Sequence, residues 1–232
     1  MEFRDRHVMV TGGTGALGIA VVGALLQAGA QCHVPYFHPA EAERFPFRAD
    51  ARMRLSGPVD LADEAAVRQL YAAVPRLWAS IHLAGGFGAA GIAEIDKAAL
   101  MQQLQMNFLT CFLCCRAAVS ALRKSGGGRI VNVAARPALE PRQGAGMSAY
   151  AASKAAVAAL TAALGEELVK EDILVNAVAP SVLDTPANRK TMPKAKHELW
   201  PKVEEVAATI LFLASPENRV TRGAIVPVYG RS

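Results

Sequence analysis

This chain is short of charge, of aromatic side chains and of cysteine. Only 19% of its 232 residues are charged and 6% are aromatic, against 52% apolar. A sequence with so few charges and so much apolar surface to bury is not a disordered one. No uninterrupted apolar run reaches the roughly 18 residues that point to a membrane span. Nor does an apolar leader precede "MEFRDRHVMVTGG", so the expectation is a cytoplasmic enzyme with no membrane partner. The scarcity of aromatics, and of any basic helical stripe, leaves nucleic acid without a recognisable footprint.

The four cysteines are Cys32, Cys111, Cys114 and Cys115. Cys111-x-x-Cys114 has redox or zinc-like spacing, but no second Cys or His pair completes a set. No metal is expected; inside "MNFLTCFLCCRAAVSAL" these read as small buried helix residues in a reducing compartment. The formal net charge is +5, and Arg189, Lys190, Lys194, Lys196 and Lys202 gather in one segment. That cluster is a solvated loop face or an attraction for an anionic cofactor or substrate.

What is present is alternation. Buried strand-like runs such as "HVMVT", "QCHVPYF", "WASIHLAGG", "RIVNVAA", "ILVNAVAP" and "AIVPV" are separated by helical stretches. Continuous apolar strands between helices predict a parallel sheet covered on both faces. The expectation is a single doubly wound, Rossmann-type α/β domain over residues 1–232 with about seven strands. Segment 184–202 is long, polar and proline-bearing, and reads as a lid or substrate loop.

"TGGTGALG" follows the first strand and opens the first helix. Gly12, Gly15 and Gly18 recur every third residue, with Thr14, Ala16 and Leu17 between them. Such a turn lets backbone approach a pyrophosphate and aims helix amides at it, so a dinucleotide is expected here. At the end of the second strand, where an NAD site carries Asp or Glu, stand Tyr36, Phe37 and His38. With no carboxylate there, and with His38, Arg44 or Arg48 to meet a phosphate, NADP(H) is expected over NAD(H).

Tyr150 and Lys154 lie four residues apart on one predicted helix and share a face. An ammonium beside a phenol favours the phenolate, so the pair is expected to lower the tyrosine pKa and move a proton as hydride moves.

Taken together, these motifs resemble the short-chain dehydrogenase/reductase family over nearly the whole chain. The resemblance implies catalytic roles for Tyr150, Lys154 and Asn107, the last in "QMNFLT" supporting a proton relay. It implies cofactor contacts at the glycine turn, at Asp60 and Leu61 in "VDLAD", and at Ala84 and Gly85 in "LAGG". Lys154 would also hold the nicotinamide ribose, and Pro180, Leu183 and Thr185 in "NAVAPSVLDT" would line the carboxamide side.

One part of the family pattern is missing. The catalytic serine that follows the fifth strand is replaced by Ala134 and Ala135, and Ser148 is the remaining local hydroxyl. The dihydropteridine reductase branch of the superfamily also has alanine near that position, and "LAGGFGAAG" and "LDTPANRKTMP" resemble its segments. The resemblance implies an activated heterocycle such as quinonoid dihydropterin as hydride acceptor, with Tyr150 as proton donor. A carbonyl reductase or alcohol dehydrogenase using Ser148 or water is the alternative. A cofactor-binding sensor or scaffold is the third. The alanine-rich helices from Lys97 and Ser148 predict a homodimer or homotetramer.

Overall fold

A computed structural model describes all of residues 1–232. Seven strands form one parallel sheet in the order β3-β2-β1-β4-β5-β6-β7. They are β1 His7–Thr11, β2 Gln31–Pro35, β3 Met53–Ser56, β4 Leu77–His82, β5 Gly128–Val133, β6 Ile173–Pro180 and β7 Ile225–Val228. The helices are α1 Ala16–Gln27, α2 Pro39–Arg44, α3 Glu64–Ala72, α4 Lys97–Leu104, α5 Thr110–Ser125, α6 Arg136–Leu139, α7 Ser148–Glu167, α8 Pro186–Thr191 and α9 Val203–Ala214.

The sheet buries both faces, which is why its strands lack polar alternation. Val8 and Val10 of β1 enter one core beneath α1 and α9, while Met9 between them enters the other with α3 and α5. All eight residues of β6 are buried. Strand order reverses between β1 and β4, so the turns after these strands diverge and leave a crevice at their C-terminal ends.

Three differences from the expected elements matter for function. The helix expected from Lys97 to Lys124 runs to Ser125 but is interrupted by a π-turn at Gln105–Leu109, which carries Asn107. A π-turn adds a residue to the ladder and re-aims the side chains on it, and no residue type in the sequence announces one. The 184–202 segment, expected as a lid or substrate loop, carries local structure of its own. It contains α8, begun by Pro186 and capped by the Thr185 hydroxyl, and its base is closed by Asp184 N–H donating to Pro201 O at 2.9 Å. Finally, the Lys97–Ser125 stretch reaches membrane-like length and a mean hydropathy of 1.3, yet packs one side on β4 and α3 as a core helix.

Candidate active site

The phosphate end is built by close approach. Gly12 has φ +68, and a Cβ there would lie 2.6 Å from Ala84 N, so the turn after β1 rests directly on the segment after β4. A Cβ on Gly18 would collide with the Gly12 carbonyl. α1 begins after Gly15 with no side-chain cap and no acidic residue in its first turn. Its amides are therefore free donors beside partly exposed Thr14 and Ala16, a cradle that suits the diphosphate of a dinucleotide. Leu17 packs partly against the core and fixes the turn from below. Thr11, not anticipated from the sequence, ends β1 with its hydroxyl buried and without a hydrogen-bond partner.

At the end of β2 the structure corrects an expectation. His38 is exposed, as a phosphate-reading residue would be, but a carboxylate is present after all. Glu41, one turn into α2, accepts from the backbone N–H of Phe37 at 3.1 Å and of His38 at 3.4 Å. The sequence hid it because the carboxylate reaches back from a short helix that no periodicity revealed. Arg44 lies exposed in the last turn of the same helix, and Arg48 is engaged with Glu43 O. Asp60 and Leu61 follow β3 at the same end of the sheet; Asp60 shapes its own turn by accepting from Ala62 N–H at 2.8 Å.

The chemical end brings together three segments far apart in sequence. Lys154 is buried on α7 and donates from Nζ to Val133 O at 2.9 Å. Asn107 is buried on the π-turn and accepts from Gly86 N–H at 3.0 Å while donating to Gln103 Oε1 at 3.3 Å. A Cβ on Gly85 would lie 2.6 Å from Asn107 Oδ1 and 3.5 Å from Lys154 Nζ, so only glycine lets this asparagine and lysine flank the loop. Phe87 meets the Tyr150 ring edge-on at 5.0 Å between centroids, and its own ring is 64% exposed at the mouth. Gln103 and Phe87 were missed by sequence reasoning, since each acquires meaning only through the loop folded against it.

The protonation balance also departs from expectation. Burial pushes the Tyr150 phenol up to about 12, with no opposing contribution from the lysine. Burial likewise lowers Lys154, to about 8, and the nearby Cys111 thiol partly offsets this. The ammonium is directed at a carbonyl rather than at the phenol, so the expected lowering by lysine is absent and burial favours the protonated phenol.

Both alanines after β5 are buried. Ala134 donates its N–H to Val178 O and its methyl joins the core with Cys111 and Val157; Ala135 precedes α6 and belongs to neither core cluster. By sequence position after β5, Ala135 stands where the family resemblance places a partner hydroxyl. Ser148 does not replace it. It is exposed at the first residue of α7, and residues i and i+2 on a helix point to different sides. On the other rim, Pro180 ends β6 and is buried, Leu183 O accepts from the Asn188 side chain at 2.8 Å, and the Thr185 hydroxyl caps α8. Arg189 of the basic cluster is held by Asp184 in a two-point ion pair, leaving the lysines to solvent.

Comparison with known proteins gives a consistent picture. The model of a family described as short chain dehydrogenase matches residues 6–196. The chain is 32% identical to 2,3-dihydro-2,3-dihydroxybenzoate dehydrogenase of Escherichia coli (strain K12), over 93% of this chain and 92% of that protein. It is also 32% identical to galactitol 2-dehydrogenase of Rhizobium johnstonii, over 96% and 93% respectively. The structure of ElxO with NADP bound shares the fold, with a TM-score of 0.89 at 22% identity over 97% of this chain and 98% of that one.

Proposed function

The chain belongs to the short-chain dehydrogenase family, an NAD(P)-dependent oxidoreductase, and from that premise we propose that it reduces an activated heterocycle of the quinonoid dihydropterin class. The reduced nicotinamide supplies the hydride. Tyr150 donates the accompanying proton, the Lys154 ammonium resupplies it, and Asn107 holds the Gly85–Gly86 loop beside the lysine. The local likeness to dihydropteridine reductase belongs to this reading.

The observation that carries it is the buried methyl of Ala135 where a second hydroxyl donor would be wanted, with Ser148 turned elsewhere. Reduction of a ketone builds charge on one oxygen, and loss of one donor to such an oxygen costs about 10²–10³ in rate. An electron-poor conjugated ring accepts hydride without that second donor. The exposed Phe87 ring, set against Tyr150, offers a flat apolar surface to a planar substrate. The test is steady-state oxidation of NADPH and NADH against quinonoid dihydropterin and a panel of ketones. Rapid turnover of the pterin with slow turnover of ketones supports the reading; the reverse ranking overturns it. A second reading, reversible oxidation of a secondary alcohol, is favoured by the activities named for the two relatives.

Within the same proposal the cofactor is NADP(H), supported by exposed His38 and Arg44, with Glu41 opposing it. A ribose 2′-phosphate and the Glu41 carboxylate compete for the same two backbone donors. Glu41→Gln is expected to raise the NADPH-to-NADH ratio of kcat/KM about tenfold, equivalent to about 1.4 kcal/mol. An unchanged ratio would remove Glu41 from cofactor choice.

We place the protein in the cytoplasm, consistent with its four free thiols, and as a homodimer or homotetramer. Met101, Leu109 and Phe112 are exposed on the outer side of α4 and α5 (Phe112 at 40%), an apolar face that a second copy would cover. Phe112→Glu is expected to shift sedimentation to the monomer; an unaltered oligomer would locate the interface elsewhere.

A further inference from the structure

Behind the lysine lies a polar cluster that the proposed reaction does not use. His82 ends β4, Asn132 stands beside it on β5, and Cys111 and Cys115 project from successive turns of α5. All four are buried. An imidazole nitrogen of His82 and the two sulfur atoms lie within 4.8 Å of one another. The spacing Cys111-x-x-x-Cys115 puts both thiols on one helix face, and the sheet supplies the imidazole that the linear sequence did not reveal.

We propose that His82, Cys111 and Cys115, with Asn132 Oδ1 as fourth donor, form a zinc(II) site beneath the nicotinamide side of the crevice. Four observations lead there. Three donor separations suit tetrahedral edges: His82 Nδ1 to Cys115 Sγ is 3.5 Å, and Asn132 Oδ1 lies 3.4 Å from Cys111 Sγ and 3.5 Å from Cys115 Sγ, with the two sulfurs within 4.8 Å of each other. Zinc–sulfur bonds of about 2.3 Å and zinc–nitrogen bonds of about 2.0 Å give edges of about 3.3–3.8 Å. The one short edge, His82 Nδ1 to Asn132 Oδ1 at 2.8 Å, is a hydrogen bond that lengthens when the ring nitrogen gives up its proton.

The outer partners are already in place. His82 Nε2 lies 2.8 Å from Ser80 Oγ and 3.1 Å from Tyr71 OH, oxygens that accept its proton once Nδ1 binds metal. Asn132 Nδ2 donates to Thr161 Oγ1 at 2.9 Å, which fixes Oδ1 towards the cluster. Without metal, an imidazole nitrogen and two sulfur atoms all lie within hydrogen-bonding reach of one amide oxygen.

Charge closes the case. Binding releases the two thiol protons, and a dication with two thiolates is neutral, so the interior holds no net charge beside Lys154. Because Asn132 directly precedes Val133, whose carbonyl holds Lys154, occupancy of this site is mechanically joined to the lysine.

The full-length, reduced, metal-stripped protein is titrated with cobalt(II) and then zinc(II). The expected result is one equivalent bound, with a thiolate charge-transfer band and tetrahedral cobalt bands that zinc displaces. Cys111→Ser and Cys115→Ser are expected to lose the bands, while Cys32→Ser, on a distant strand, keeps them. Absence of the bands, or their survival in the Cys111 and Cys115 variants, overturns the proposal. X-ray absorption on the unaltered zinc-loaded protein covers variants that fail to fold. Two sulfur scatterers at about 2.3 Å support the site, and a shell of nitrogen and oxygen alone refutes it.

Discussion

Tyr150→Phe is expected to lower kcat by about 10²–10⁴-fold while leaving dinucleotide affinity within about twofold. The substitution removes one oxygen and keeps the ring that packs edge-on against Phe87, so the crevice retains its shape. Its effect falls on the proton that accompanies hydride, because the burial that holds the phenol near 12 keeps it a donor throughout the neutral range. The pH profile supplies an independent sign. Lys154 has a pKa lowered to about 8, so its ammonium is present below that value and lost above it. The wild-type reduction rate should be level on the acid side and decline as pH rises through about 8, as resupply of the tyrosine proton fails. A rate that climbs through that range would mean the lysine acts as a neutral base, and an unimpaired Phe variant would remove the tyrosine from the chemistry.

Ala135→Ser separates the two substrate classes. Ala135 adopts an extended conformation immediately before α6, where serine is a favourable helix cap, so the substitution carries no folding penalty of note. Restoring a hydroxyl there supplies the second donor that a ketone oxygen needs. Ketone reduction is expected to rise about tenfold to a hundredfold, within the range for a single oxyanion donor. Turnover of an activated heterocycle is expected to stay within about twofold, or to fall where the hydroxyl crowds the ring. Equal gains on both substrates would show that the missing hydroxyl has no bearing on substrate class.

Legibility in the sequence follows the range of the interaction. The glycine turn, the buried strands and the Tyr150–Lys154 spacing are local. Each is decided by steric freedom or periodicity within a few residues, so the parallel doubly wound sheet and the crevice residues were readable without coordinates. Glu41 was missed because its carboxylate folds back over a six-residue helix, and Gln103 because its value depends on the loop at Gly88.

The amino-acid order alone therefore determined the fold, the glycine turn and the placing of Tyr150 and Lys154 on one helix face, since helical and strand periods set those positions whatever surrounds them. Only the tertiary structure decided their protonation, the orientation of Ser148 away from the reaction, and the meeting of His82 with Cys111 and Cys115. Desolvation depends on everything packed around a group, and contacts between β4 and α5 join residues that no local spacing relates.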